Sequence, residues 1–180
     1  MLNTLLKCPN NFVSSKFLKE FLDPNAKIKS YGLKSGHIET DLIYSGFDVT
    51  MTTNRYFVWE FWRCLINSPH DLLRDIKFFH KNFNVHDISS FKNTWYTRFE
   101  DPYERSAIYY LLNRYSENGS LSCPYMSKHN FSNLNLITFE NLIPLIKNLN
   151  LSFTSHEELV YSFKKVEEDV TILIPIGKYK

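Results

Sequence analysis

The stretch "KIKSYGLKSGHIETDLIYSGFDVTMTTN", Lys27 to Asn54, decides the fold. Its hydrophobic pattern and its glycines predict a strand, a turn from Gly32 to Gly36, a helix from about Ile38 to Tyr44, and a second strand from Phe47 to Met51. A strand, a helix and a strand in this order form a β-α-β unit, whose two strands run parallel because the helix returns the chain to the same edge of the sheet.

The residues around this unit have mostly helical patterns. The segment "SSKFLKEFLD" predicts a short amphipathic helix, and "NRYFVWEFWRCLINSPHDLLRDIKFFHKNF" predicts two helices broken near Pro69, with Ser68 as a cap of the second. A further helix is expected before Asp101-Pro102, and a long one covers Tyr103 to Arg114, with the proline at its first position.

The C-terminal third predicts two more helices and a strand. The helical stretches are "TFENLIPLIKNLN" and "SHEELVYSFKKV", and the end, "DVTILIPIGKYK", is an apolar strand of the kind buried in the middle of a parallel sheet. No internal repeat or linker divides the chain.

Composition limits the possible functions. A chain of 180 residues with 43% hydrophobic and 16% aromatic content predicts one domain with a substantial core. Lys and Arg number 21 against 19 Asp and Glu, which excludes a polycation that binds phosphate backbones indiscriminately. Any binding of nucleic acid must therefore come from a local patch.

Targeting and metal signals are also absent from the sequence. We expect a soluble, non-secreted protein of the cytoplasm or nucleoplasm, with no membrane partner, because no apolar stretch has the length of a signal peptide or a membrane span. The cysteines, Cys8, Cys64 and Cys123, are far apart and lack metal-ligand spacing, so no metal site is predicted.

Three segments together carry a resemblance to a known family. They are "KCPNNFVSSKFLKEFL", "TTNRYFVWEFWRCLINSPHDLL" and a helix with Leu112-Asn113-Arg114 that leads to Gly119-Ser-Leu-Ser-Cys-Pro124-Tyr125. Their order resembles the Dam-type adenine-N(6) DNA methyltransferases. The resemblance implies an α/β fold, a truncated Rossmann-like methyltransferase sheet, in which residues 1–180 form a single domain and residues 56–135 a largely helical insert similar to a target-recognition region.

The cofactor site that this resemblance implies is altered. The family binds S-adenosylmethionine with a Phe-x-Gly-x-Gly turn after the first strand, where "SYGLKSG" here keeps only Gly32 and Gly36. An acidic residue normally holds the ribose at the end of the second strand, but this chain has Thr53 and Asn54 there. A neutral side chain loses a charge-assisted hydrogen bond of about 1.5–3 kcal/mol. We therefore interpret these four residues as a vestigial cofactor site and expect no cofactor.

The catalytic motif that the resemblance implies is replaced as well. The family's Asp-Pro-Pro-Tyr accepts hydrogen bonds from the adenine amino group and stacks on the flipped base. The counterpart here is Ile174-Pro175-Ile176, followed by Tyr179, and isoleucine offers neither an acceptor nor a charge. These positions are interpreted as vestigial, with no catalytic residue, and the sheet is expected to be truncated after this strand.

The Leu-Asn-Arg helix supplies the candidate nucleic-acid contacts, Asn113, Arg114 and Lys128. In the family a hairpin that enters DNA follows this helix, whereas here the interval is reduced to "YSENG". Without the hairpin, a structural role is favoured for two of them: Arg114 fixes the helix by bonding to carbonyl groups and Asn113 caps its end. We expect the stretch to be the stub of an insert that reads nucleic acid.

These expectations lead to a hypothesis about function and two alternatives. The first is a catalytically inactive DNA adenine methyltransferase-like protein that acts as a binding or scaffolding subunit, with an active methyltransferase subunit, with DNA, or by self-association. The alternatives are an active S-adenosylmethionine-dependent adenine DNA methyltransferase with unusual motifs, and a structural protein that reuses the fold. Analogy of fold cannot choose among them.

Overall fold

Four parallel strands form the sheet of a mixed α/β fold. The computed structural model describes residues 5–7, 15–33, 35–154 and 170–173. The strands are β1 (Lys27–Tyr31), β2 (Asp48–Thr53), β3 (Leu149–Phe153) and β4 (Val170–Leu173), in the spatial order β3-β2-β1-β4. Every neighbouring pair is parallel, so the carboxyl ends of all four strands meet at one edge of the sheet.

The predicted β-α-β unit is confirmed. Helix α2 (His37–Tyr44) connects β1 to β2, and Ile28 lies beside Val49 in the parallel register. The second strand ends two residues later than predicted, because Thr52 and Thr53 continue it by pairing with Ser152 and Phe153 of β3. Threonine is β-branched and fits this pairing well.

Strand β3 was not predicted. The helix expected over "TFENLIPLIKNLN" is wrong in its second half: helix α8 covers Asn133–Leu142, a 3-10 helix covers Ile143–Asn148, and the chain then enters β3. Pro144 explains the change, because it has no N–H to continue the α-helical hydrogen bonds. The helix predicted over residues 155–166, and residues 174–180 of the C-terminal strand, lie outside the described residues.

The remaining described helices precede the sheet or lie between β2 and β3 in the chain. They are α1 (Ser15–Phe21), α3 (Tyr56–Asn67), α4 (Pro69–Asn82), α5 (Val85–Ser90), α6 (Trp95–Arg98) and α7 (Pro102–Tyr115), with 3-10 turns at Phe91–Asn93 and Lys128–Asn130.

Two helix starts test the predictions from proline. The break at Pro69 is confirmed and Ser68 occupies the N-cap position, but its hydroxyl donates to the Asp71 carboxylate at 2.6 Å and accepts no backbone N–H. At α7 the prediction holds, since Pro102 occupies the first turn and the Asp101 carboxylate accepts the N–H of Tyr103 at 2.6 Å.

Helix α7 lies in the core and is buried on all sides from Ser106 to Tyr115. It packs against α3 and α4, and the rings of Tyr110 and Phe61 stack with centroids 5.9 Å apart and planes within 3°. A helix that is buried all round must satisfy its polar side chains inside the protein.

The contact between His80 and Tyr115 joins α4 to α7. The His80 Nδ1 lies 2.8 Å from the Tyr115 hydroxyl, and the imidazole packs on Phe131 with ring centroids 4.4 Å apart. Burial lowers the pKa of His80, and the nearby charge of Lys128 lowers it further. Protonation of the His80 imidazole therefore opposes its burial between Tyr115 and Phe131.

We expect the free energy of unfolding to decrease as the pH falls from about 7 through the ordinary histidine range near 6.5. The unfolded chain protonates His80 at a higher pH than the folded chain, so lowering the pH through this window favours unfolding. His37, whose pKa burial also lowers, adds to the trend. Denaturant melts between pH 5 and 7.5 should show a shallower dependence for His80→Gln than for the wild type.

The control for this comparison is His86→Gln, because His86 is exposed on α5. It should keep the wild-type dependence. Equal pH dependence of His80→Gln and the wild type would show that His80 does not couple folding to protons.

Candidate functional site

The carboxyl edge of the sheet is the first candidate site. The Gly32–Gly36 turn follows β1, and Asn54 follows β2. Strands β1, β2 and β3 follow one another towards one side of the sheet, and β4 then lies on the other side of β1, so the strand order reverses between β1 and β4. In open parallel sheets, ligands bind at the carboxyl edge near such a change in direction.

The glycine turn folds back onto β2. The backbone N–H groups of Gly32 and Leu33 both donate to the Thr52 carbonyl at 3.0 Å. Gly32 and Gly36 have φ angles of 82° and 69°, a region that glycine adopts without strain. Both predicted glycines are therefore needed for the backbone conformation.

The indole of Trp62 lies against Gly36. A Cβ on Gly36 would overlap the ring carbons of Trp62, whereas a Cβ on Gly32 would meet no atom within 4 Å. Trp62 is fully buried on α3, and its Nε1 has no acceptor within the described part of the chain. The absence of a side chain at position 36 thus makes room for the protein's own tryptophan. No local signal in the sequence indicates this contact between a turn and a separate helix.

The polar residues at the end of β2 are joined to the same turn. The Thr53 hydroxyl donates to the Leu33 carbonyl at 3.2 Å and accepts the N–H of Arg55 at 3.2 Å, so it is used inside the protein. Asn54 is exposed. The structure therefore brings Gly32, Gly36, Thr53 and Asn54 to one edge, with Asn54 as the open polar side chain of the four.

A buried carboxyl group on α2 lies behind this turn and was not predicted. The Glu39 carboxyl accepts a hydrogen bond of 2.6 Å from the Ser30 hydroxyl of β1, and both residues are buried. Burial raises the pKa of Glu39, against the opposite effect of the hydrogen bond from Ser30. Only the helical position beside the buried Ile38 and Leu42 could have indicated its burial.

The predicted catalytic positions are not described. Ile174, Pro175, Ile176 and Tyr179 lie beyond Leu173, the last described residue, so their interpretation as vestigial stays a prediction.

Asn113 and Arg114 bind the segment 5–7. The Asn113 amide accepts the N–H of Lys7 at 2.8 Å, and its Nδ2 donates to the carbonyls of Lys7 at 3.1 Å and Gly119 at 2.7 Å. The Arg114 guanidinium donates to the Leu5 carbonyl through Nε at 2.7 Å and through Nη2. Both side chains are buried, and burial lowers the pKa of Arg114.

The loop after α7 closes over the same segment. The Cβ of an alanine at position 119, where φ is 78°, would lie 2.5 Å from the Lys7 carbonyl oxygen. Lys7 also donates its Nζ to the Ser116 carbonyl at 2.8 Å. The glycine at position 119 therefore allows the loop to approach the Lys7 backbone closely.

The three predicted nucleic-acid residues do not form one cluster. Lys128 donates its Nζ to the His80 carbonyl at 2.8 Å, whereas Asn113 and Arg114 bind residues 5–7. All three side chains donate to backbone carbonyls, which is the structural role predicted for Arg114. A role in binding nucleic acid stays a prediction.

We expect Gly36→Ala to destabilise the protein more than Gly32→Ala. Each alanine carries the cost of positive φ, about 1–2 kcal/mol, but only the one at position 36 also displaces Trp62. Thermal melts should rank the wild type, Gly32→Ala and Gly36→Ala in decreasing order of Tm.

A double variant tests the cause of this ranking. Trp62→Leu should reduce the additional cost of Gly36→Ala, because the smaller side chain removes the overlap. Equal destabilisation by the two alanines would contradict the packing role of Gly36.

We expect Gly119→Ala to release the segment 5–7, because its Cβ would push against the Lys7 backbone. Asn113→Ala should act in the same direction and lower the free energy of unfolding by about 1–3 kcal/mol, since it leaves buried backbone groups without partners. Hydrogen exchange should show a faster exchange of the Lys7 amide in both variants.

Gly46→Ala is the matched control for Gly119→Ala. Gly46 has a φ of 90°, but its Cβ would meet nothing within 4 Å, so it carries the backbone cost without the contact. If the Lys7 amide exchanges as slowly in Gly119→Ala as in Gly46→Ala, the close contact between Gly119 and the Lys7 backbone does not hold the segment.

Comparisons with known proteins leave the family undetermined. A scan against protein-family models and a search of curated proteins both return no match. Within the described ranges, no group of three or more His, Cys, Asp or Glu could hold a metal ion. No helix there is both long and apolar enough to cross a bilayer.

Proposed function

We propose that this chain is a catalytically inactive relative of the Dam-type adenine DNA methyltransferases and acts through binding. Its sheet is then the core of a Rossmann-like fold. The parallel order β3-β2-β1-β4 supports this interpretation, since it is the order of the first four strands of the classic dinucleotide-binding sheet. The positions of the glycine turn after β1 and of Thr53 and Asn54 at the end of β2 support it as well.

The contact of Trp62 with Gly36 is the observation that carries the proposal. A glycine turn serves a cofactor when the ligand can approach the backbone closely. Here the fully buried indole lies against Gly36, where an added side-chain atom would overlap it. The space that a cofactor could use beside this glycine is filled by the protein.

The end of β2 weakens cofactor binding further. Thr53 uses its hydroxyl to hold the turn, and Asn54 carries no charge for the ribose hydroxyls. The missing charge-assisted hydrogen bonds correspond to about 1.5–3 kcal/mol, a factor of roughly ten or more in affinity. The binding of S-adenosylmethionine thus loses both its space and its charged partner.

A role in binding a partner is consistent with the parts of the fold that are still intact. Asn113 and Arg114 still hold the helix and the segment 5–7 together, although the cofactor edge is filled. The partner we propose is an active methyltransferase subunit, with DNA as a further ligand and self-association as another form of assembly.

We expect no binding of S-adenosylmethionine in isothermal calorimetry, because the indole and the neutral end of β2 remove the site. Labelled-methyl transfer to adenine in DNA should likewise stay at background. Micromolar binding of the cofactor would contradict the proposal and favour the active-enzyme alternative. An active Dam-type enzyme in the same buffer is the positive control.

We expect the protein to retain a methyltransferase subunit when it is purified from its own source, with and without nuclease treatment. Retention after nuclease digestion would indicate a direct contact between proteins, and loss after digestion would indicate a bridge of DNA. Failure to retain such a subunit under either condition would reject the scaffolding role.

A further inference from the structure

A cluster of exposed aromatic side chains lies at the carboxyl edge of β2 and β3. We call it the aromatic platform, and it consists of Tyr56, Trp59, Tyr96 and Phe153. Tyr56 lies at the centre, with its ring centroid 5.3 Å from that of Trp59, 6.0 Å from Tyr96 and 6.1 Å from Phe153. Trp59 and Phe153 are 5.8 Å apart.

The platform is open to solvent. Tyr56 and Phe153 are each 46% exposed and Tyr96 is 42% exposed, whereas Trp59 is half-buried. Large apolar side chains that meet on a surface usually mark a binding site. The edge of the sheet on which they lie is also where open parallel sheets bind ligands.

Positive charge accompanies the platform. The Arg63 guanidinium lies 4.8 Å above the ring of Trp59, and Arg55 directly precedes Tyr56. Both arginines are exposed, and neither belongs to an ion pair between described residues. Two guanidinium groups are therefore available to an anionic ligand.

The acidic residue next to Trp59 in the chain is already paired. Glu60 forms two hydrogen bonds with Arg105, at 2.6 Å and 2.9 Å. Arg105 in turn lies 5.3 Å over the ring of Tyr96. Glu60 is therefore engaged by Arg105 rather than by Arg55 or Arg63.

We propose that the aromatic platform binds single-stranded nucleic acid. Unpaired bases stack on Tyr56, Trp59 and Phe153, and the phosphates pair with Arg55 and Arg63. Aromatic side chains suit this role because every base has a π face, and guanidinium groups bind phosphate with two parallel hydrogen bonds. The bases of a duplex are covered by their neighbours, so the platform prefers the single strand.

This inference does not rest on the resemblance to methyltransferases. It uses none of the residues of the glycine turn, and from the Leu-Asn-Arg helix it uses only Arg105, which pairs with Glu60. Exposed aromatic and arginine side chains also occur at protein interfaces, but the Arg63 guanidinium over Trp59, with a second exposed arginine directly before Tyr56, favours a polyanion.

The test is fluorescence titration with a labelled oligothymidylate of about 12 nucleotides, a length within the usual site size. Anisotropy should rise, and tryptophan fluorescence should be quenched through Trp59, since Trp62 and Trp95 are buried. A duplex of the same length should bind more weakly. In Trp59→Phe, binding should persist while the quenching is lost.

Two substitutions separate stacking from charge. Tyr56→Ala should weaken binding by about five- to hundred-fold, the usual effect of losing one stacked base. Arg63→Gln should reduce the slope of log K against log salt concentration by about 0.7, the contribution of one phosphate contact in a single strand. Phe153→Ala gives a second stacking variant, and circular dichroism verifies the fold of each.

Matched controls lie outside the platform. Phe78, on α4, is 54% exposed, and Arg98 lies 4.8 Å over the ring of Phe91, as Arg63 does over Trp59. Phe78→Ala and Arg98→Gln should bind the oligonucleotide like the wild type. Tighter binding of the duplex, no binding at low salt, or equal losses in control and platform variants would overturn the proposal. So would a protein partner captured through Tyr56 in the absence of oligonucleotide binding.

Discussion

The burial of α7 from Ser106 to Tyr115 is the constraint on which the rest of the structure depends. With no solvent-facing side there, the polar groups of the helix can be satisfied only inside the protein, although the hydroxyls of Ser106 and Tyr110 have no hydrogen-bond partner among the described residues. Tyr115 meets His80 on α4, and Arg105, near the start of the helix, pairs with Glu60 on α3. The packing of α3 and α4 on α7 is therefore held by directional polar contacts as well as by apolar area.

The same helix connects the segment 5–7 with the edge of the sheet. Asn113 and Arg114 bind the backbone of that segment, and α3, which packs on α7, places Trp62 against Gly36. A disturbance of α7 would consequently reach both the glycine turn and the aromatic platform. The candidate site is in this sense an extension of the helical core.

Local signals in the sequence were sufficient for much of the fold. The glycines and apolar runs between Lys27 and Asn54 predicted the β-α-β unit, and Pro69 and Asp101-Pro102 predicted helix starts, because each of these effects acts within a few residues. Strand β3 could not be predicted in this way, since "LNLSF" becomes a strand by pairing with β2, about 100 residues earlier in the chain.

The candidate site was predictable only in part, for the same reason. Sequence order indicated that the glycine turn and Thr53 would share an edge, but the partner of Gly36 is a tryptophan on another helix. Likewise, Asn113 and Arg114 bond to residues that are 106 and 109 positions away. Such long-range contacts leave no pattern in the local sequence.

The contact between Gly36 and Trp62 also limits how this edge can change. Replacing Trp62 by a small residue would open space beside the turn, but a loss of that size in a core costs about 3–5 kcal/mol. Under the proposed function, an acidic residue in place of Asn54 would gain no ribose hydrogen bond while the indole fills the space beside the turn. The Trp62 substitution alone therefore lowers stability, and the Asn54 substitution alone does not improve cofactor binding. Both substitutions together are required for a cofactor site. Single substitutions therefore preserve the packing of Trp62 on Gly36 more readily than they convert this edge into a cofactor site.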